Sequence, residues 1–328
     1  MRWIGLAVVI AVSLLAALPA IEAQPKPPVR IGFLPLGSPS NSYDQALVDA
    51  FRQGLREVGV VENRDIVLDV EWIRSEPEAS QAVNGVIQRG AKLLIPVGST
   101  ASVAAKRRTS TIPILFISVG NPVGMGLVES LSHPNSNATG FSDVLGSLSG
   151  KYLELARELS KSNEPIDYLW HTGWPDGQPR LQATERAAQS LGVKLRSRGI
   201  GDADDVNAVL ASIKKNGAVT LVIQPSPFTY RERTRLIDAA VNYGLATIVA
   251  WPPMARDGAL IAFGPDYVDM YRRAASYVDR IIIKGTNPAE LPVQEPTKFE
   301  LIVNLRTAKA IGLTIPQTLL VRADHVIE

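Results

Sequence analysis

The sequence predicts an α/β protein made of two doubly wound parallel-sheet lobes joined by a hinge. Three observations carry that expectation. From Val29 onward, short β-branched runs alternate with amphipathic helices of period 3.6, the pattern of parallel strands linked by crossover helices. The alternation runs twice, on either side of a turn-rich stretch at residues 133–140. At 328 residues the chain has the length of about two domains, and its 46% hydrophobic content supports a sizeable core.

The first strand is expected at Val29–Leu34, and the helix after it places Leu47, Ala50, Phe51, Gly54, Leu55 and Val58 on one face before Gly59 stops it. Ile66, Leu68, Val70 and Trp72 alternate as an edge strand does. Residues 93–97 and 114–117 are continuous apolar runs and belong near the sheet centre. Beyond the turn-rich stretch, strands are expected at 166–170, 193–198, 218–223 and 246–251, with helices at 181–191, 206–213 and 235–243. Asp202 is read as a helix cap, and Gly192, Gly217 and Gly244 as helix stops. A further strand, 259–263, and a helical stripe from Tyr267 to Ile281 follow, a unit free to return to the first lobe.

Ahead of the fold, Arg2, an apolar run from Trp3 to Leu18 and a break ending at Ala23 form a secretory signal peptide over residues 1–23. The run is shorter than the ~20 apolar residues of a membrane span, so a mature chain starting at Gln24 is expected. With no cysteine, the chain has no disulfide, no thiolate metal site and no lipid-modified cysteine at the cut. The expectation is an unanchored protein of the periplasm. A formal charge of +2 leaves no electrostatic footprint for nucleic acid or anionic lipid, and Lys106-Arg107-Arg108 reads as a solvated helix end.

Catalytic templates fail. No Gly-x-Ser-x-Gly elbow, His-Glu-x-x-His pair, Walker loop or Gly-x-Gly-x-x-Gly turn is present, and His133, His171 and His325 lie in unrelated segments and read as structural. No catalytic residue, metal ligand or cofactor is assigned. Binding chemistry is found at the strand ends, where open α/β sheets place their ligands. After Val97 come Ser99 and Thr100 at a helix start, two hydroxyls and free N–H groups suited to a carboxylate, although simple capping explains them equally well. Ser118 and Asn121 end the next strand and Ser38 follows the first. Thr172 with Trp174, Ser226 with Phe228, and Trp251 end strands of the second half, the aromatics being suited either to walling an apolar ligand or to packing between lobes.

The tail then carries a long run of specific residues: Gly264-Pro265-Asp266-Tyr267, Arg273-Ala274-Ala275, Leu291-Pro292-Val293, and Asn304-Leu305-Arg306-Thr307-Ala308-Lys309-Ala310-Ile311-Gly312-Leu313. With Phe51-Arg52-Gln53-Gly54-Leu55 and Asn121-Pro122-Val123, this makes residues 29–328 resemble the substrate-binding proteins of ABC transporters, in the group with tryptophan- and phenylalanine-binding members. The resemblance implies the type I periplasmic-binding fold, whose chain crosses three times between lobes. Lobe 1 is then expected at 29–143 plus about 262–290, and lobe 2 at about 144–261 plus 291–328. Asp266 joins the candidate ligand residues on the same ground. Where the family usually has Asp before the proline, this chain has Asn121.

The function these readings imply is a monomeric solute-binding component of an ABC importer, working with a permease and its ATPase and capturing an amino-acid-like ligand between its lobes. A ligand-sensing module for a membrane receptor and an exported carboxylate-dependent hydrolase are the alternatives, separable by neighbouring genes and by turnover assays.

Overall fold

The computed structural model describes residues 27–74, 76–160 and 164–328. The signal-peptide reading, on residues 1–23, lies outside them. In the first lobe, strands β1 (Val29–Leu34), β2 (Ile66–Val70), β3 (Leu93–Pro96), β4 (Ile114–Val119) and β5 (Ala138–Ser142) form one sheet in the order β2-β1-β3-β4-β5. All of its pairings are parallel. The half-polar β2 is an edge strand and the apolar β3 is central, because only a strand covered on both faces can carry an unbroken apolar run.

Helix α1 (Ser42–Glu57) covers one face, while α2 (Glu76–Gln88) and α3 (Gly98–Arg108) cover the other. Successive side chains alternate between the layers: Ile31 and Phe33 pack with α1, and Leu34 packs with α2 and α3. Val58, expected on the buried face of α1, is exposed, since the helix has already reached its C-cap there.

The second lobe repeats the order. Its strands are β6 (Ile166–His171), β7 (Leu195–Ile200), β8 (Thr220–Ile223), β9 (Ala246–Val249), β10 (Ile261–Pro265), β11 (Phe299–Asn304) and β12 (His325–Ile327). They pair as β12-β11-β10-β9-β8-β6-β7, so β7-β6-β8-β9-β10 reproduces the order of the first sheet. Only the β10–β11 pairing is antiparallel. Helices α4 (Ser149–Leu159) and α5 (Gly177–Leu191) lie on one face, with α6 (Val206–Lys215), α7 (Pro227–Arg231) and α8 (Arg233–Asn242) on the other. Asp205, and not Asp202, caps α6 by accepting from the Asn207 and Ala208 N–H groups.

Short α9 (Pro253–Arg256) leads into β10, after which α10 (Tyr267–Val278) returns to the first lobe and packs beside α1. The approach is close enough that a Cβ on Gly54 would lie 2.0 Å from the Arg272 carbonyl oxygen. The turn-rich stretch at 133–140 lies inside the first lobe, because β5 pairs with β4. Two expected borders shift. The border at about 262 cuts through β10, whose residues through Pro265 pair with β11. Residues 291–294 belong with the first lobe: the Val293 N–H bonds the Leu131 carbonyl, Gln294 pairs with Phe141, and the Thr139 hydroxyl bonds the Leu291 carbonyl. The chain re-enters the second sheet with β11, followed by α11 (Leu305–Ala310) and α12 (Gln317–Arg322).

Candidate functional site

A cavity of about 560 Å³ lies between the lobes, at the carboxyl ends of their strands. The first lobe lines it with Ser99, Thr100 and the outer face of α3, and with Asn121 and Met125 after β4. The second lobe supplies His171, Trp174, Asp202, Phe228 and Arg231. Five of the eleven candidates named from the sequence therefore meet at one place: Ser99, Thr100, Asn121, Trp174 and Phe228.

The first-lobe wall is built on a sharp turn. Gly98 takes φ +79° between β3 and α3, a conformation that side chains resist, so the helix starts directly at the strand end. Val97 stands at the N-cap and makes no side-chain cap bond. Neither the Ser99 nor the Thr100 hydroxyl makes a hydrogen bond among the described residues, so capping does not explain them; Ser102 turns back to the Gly98 carbonyl at 2.7 Å. The first-turn N–H groups of an 11-residue helix thus open onto the cavity with the positive end of its dipole. Asn121 accepts from the Gly124 N–H at 2.9 Å, which engages its amide oxygen and leaves its NH₂ as the group it can offer a ligand.

The second-lobe wall is built from charges already paired. Arg231 donates to Asp202 at 2.9 Å and to Glu232 at 3.2 Å. The other Asp202 oxygen lies 3.2 Å from Nε2 of His171. The Arg231 hydrogen bond holds the Asp202 carboxyl below the usual carboxylate range. His171 is 5% exposed, stacks on Phe228 with ring centroids 5.0 Å apart, and its Nδ1 has no partner among the described residues. Deeper in, Asp176 binds Nε of the buried Arg180 at 2.6 Å, and that guanidinium lies 4.9 Å from the Trp174 ring centroid.

The other six candidates stand apart from the cavity lining. Ser38 bonds its neighbour Ser40, and its N–H donates to Asp44. Ser118, at φ +60°, donates to the buried Asp143 at 3.0 Å, and burial pushes that carboxyl up against the opposing pull of Arg180. Thr172 is exposed and bonds the Ile200 carbonyl. Ser226 is 1% exposed and forms a capping box with Thr229 at the start of α7, so its hydroxyl serves the helix. Trp251 packs against the cores of both lobes, which is the inter-lobe alternative for these aromatics. Asp266 caps α10 by accepting from the Asp269 N–H at 2.9 Å.

Sequence reasoning misses His171, Asp202 and Arg231, whose grouping depends on three strand ends meeting in space. It also takes Lys106-Arg107-Arg108 as one solvated end. Arg107 and Arg108 line the cavity, and Lys106 is tied to Ser136 and Asn137.

Two lobes of one strand order meeting over a cavity at their strand ends define a solute receptor of the type I periplasmic-binding class. The chain belongs to the ABC transporter substrate binding protein family, whose model matches residues 40–327. It is 25% identical over 265 residues to a tyrosine-binding protein of Clostridioides difficile, covering 80% of this chain and 75% of the relative. A conserved domain protein from Vibrio cholerae superposes with a TM-score of 0.81 at 25% identity, covering 92% of this chain and all of that one. An ABC domain from Streptococcus pneumoniae in complex with L-Trp gives the same TM-score at 17% identity and the same coverage, a likeness of fold. A solute-binding protein of R. palustris in complex with benzoate matches at TM-score 0.60 and 14% identity, over 84% of this chain and 92% of that one. Among the described residues no helix is long and apolar enough to cross a membrane.

Proposed function

We propose that this chain is the exported, periplasmic solute-binding component of an ABC importer, which captures a small amino-acid-like solute bearing a carboxylate and an apolar or aromatic body. It acts by binding and not by turnover, as a monomer that presents its closed lobes to a permease with its ATPase. The carrying observation is the uncapped start of α3 opening onto the cavity with the unbonded hydroxyls of Ser99 and Thr100. Backbone N–H groups, dipole and hydroxyls there suit a carboxylate, and Asn121 adds an amide donor. Trp174 and Phe228 across the cavity suit the apolar body. The tyrosine-binding relative supports a ligand of this size and kind. Export rests on the residue pattern of positions 1–23.

Mass spectrometry of solute co-purified with the protein tests the reading, followed by titration calorimetry of that solute against S99A/T100A. The expected result is a carboxylate-bearing solute whose affinity falls tenfold or more in the double variant. An unchanged affinity removes the head-group assignment.

A further inference from the structure

We infer that the hydrogen bond from the Tyr230 hydroxyl to Asp44 is a latch between the lobes, which sets how far the cleft stands closed. The inference concerns the motion of the two lobes and does not depend on the identity of the solute. Tyr230, on α7 of the second lobe, donates at 2.5 Å to Oδ1 of Asp44, in the first turn of α1 of the first lobe. Among the described residues, no other side-chain hydrogen bond joins the lobes outside the crossing segments.

Each half of the latch is held by its own lobe. Oδ2 of Asp44 accepts the Ser38 N–H at 3.0 Å, and the positive end of α1 favours a negative charge there. The loop after β1 fits this carboxyl so closely that a Cβ on Gly37 would lie 2.1 Å from Oδ2. On the other side, the Tyr230 ring stands edge-on to Trp251 with centroids 5.1 Å apart, and the Arg233 guanidinium lies 4.5 Å from its centroid. Burial, with Asp44 beside it, pushes the phenol well above its ordinary value, so it remains an O–H donor. Parting the lobes breaks this bond and leaves the support of each half intact, which is the property of a contact that biases closure. Tyr230 also stands between Phe228 and Arg231, both in the cavity lining, so the latch draws the second wall towards the first. Affinity that requires the closed form scales with the fraction of molecules closed.

The chain has no cysteine, so Q81C and A208C, at exposed positions of α2 and α6, carry one spin label in each lobe. Double electron–electron resonance on dialysed protein then reads the distance between them. Y230F keeps the ring and removes the donor, and its distance distribution is expected to move to longer separations. In a D44A background Y230F should add nothing, because the two residues act through one bond; should D44A not fold, Y230F decides alone. Stopped-flow release of L-tyrosine, the probe solute, should be at least threefold faster in Y230F. A distance distribution in Y230F that matches the native one overturns the latch, as does a further shift when Y230F is added to D44A. A native protein that does not bind L-tyrosine counts against the solute class of the proposed function, and the label distances still decide the latch.

Discussion

The two walls of the cleft grow from the same strand order but treat their helix starts in opposite ways. In the first lobe, α3 begins behind an uncapped Val97 and its hydroxyls make no bonds among the described residues. In the second, α7 starts in a capping box closed by Ser226 and Thr229. There too, α5 starts after Asp176 without a side-chain cap, but the Gly177 N–H bonds the Trp174 carbonyl and Pro179 in its first turn has no N–H to satisfy. A helix that follows a strand is therefore not a ligand site by position alone. In the proposed reading it becomes one where its own sequence leaves the first turn unsatisfied, as at the start of α3.

The strongest way to break this contrast is at Arg180, the buried cation of the second wall. R180A leaves Asp176 and Asp143 buried without their counter-charge, and a loss of about 3–5 kcal/mol is expected, read as a lower midpoint in urea unfolding. Next in size, S99A/T100A should weaken solute binding by up to about 2 kcal/mol at roughly 1 kcal/mol per hydrogen bond. Its melting temperature without ligand should hardly move, because those hydroxyls make no hydrogen bond among the described residues. S226A should do the converse: a stability loss of about 1 kcal/mol from the lost cap, with calorimetric affinity unchanged.

The smallest effect concerns pH. Asp202 has a folded pKa below its unfolded one, so its contribution is present above the unfolded value and disappears as pH falls through the folded value. The carboxylate is largely exposed and solvent screens it. Stability measured from pH 5 down to pH 2 should therefore drop slightly more steeply in the native protein than in D202N. Equal slopes would show that the Arg231 pairing contributes nothing.

Much of the fold is legible in the sequence because it depends on local pattern. The edge position of β2 follows from its alternation, the central place of β3 from its apolar run, and the helix stops from Gly192, Gly217 and Gly244, all of which take positive φ. The start of α3 is legible for the same reason. The second wall is not. Asp202 looks like a cap when read along the chain, and its engagement with Arg231 and His171 exists only after three strands align. Ser226 looks like a ligand donor because Thr229 stands where the usual capping box carries Glu or Gln. The border within β10 escapes detection because its pairing partner β11 lies more than thirty residues further on.

Trp251, a cleft candidate by sequence, bears instead on how the chain unfolds. One indole rests on the first lobe's core and on both layers of the second. Opening either lobe strips that ring of part of its packing, so the two lobes share a penalty for unfolding separately. Despite three crossings and two independent sheets, the described chain is expected to melt as one cooperative unit, with a single heat-absorption peak in calorimetry.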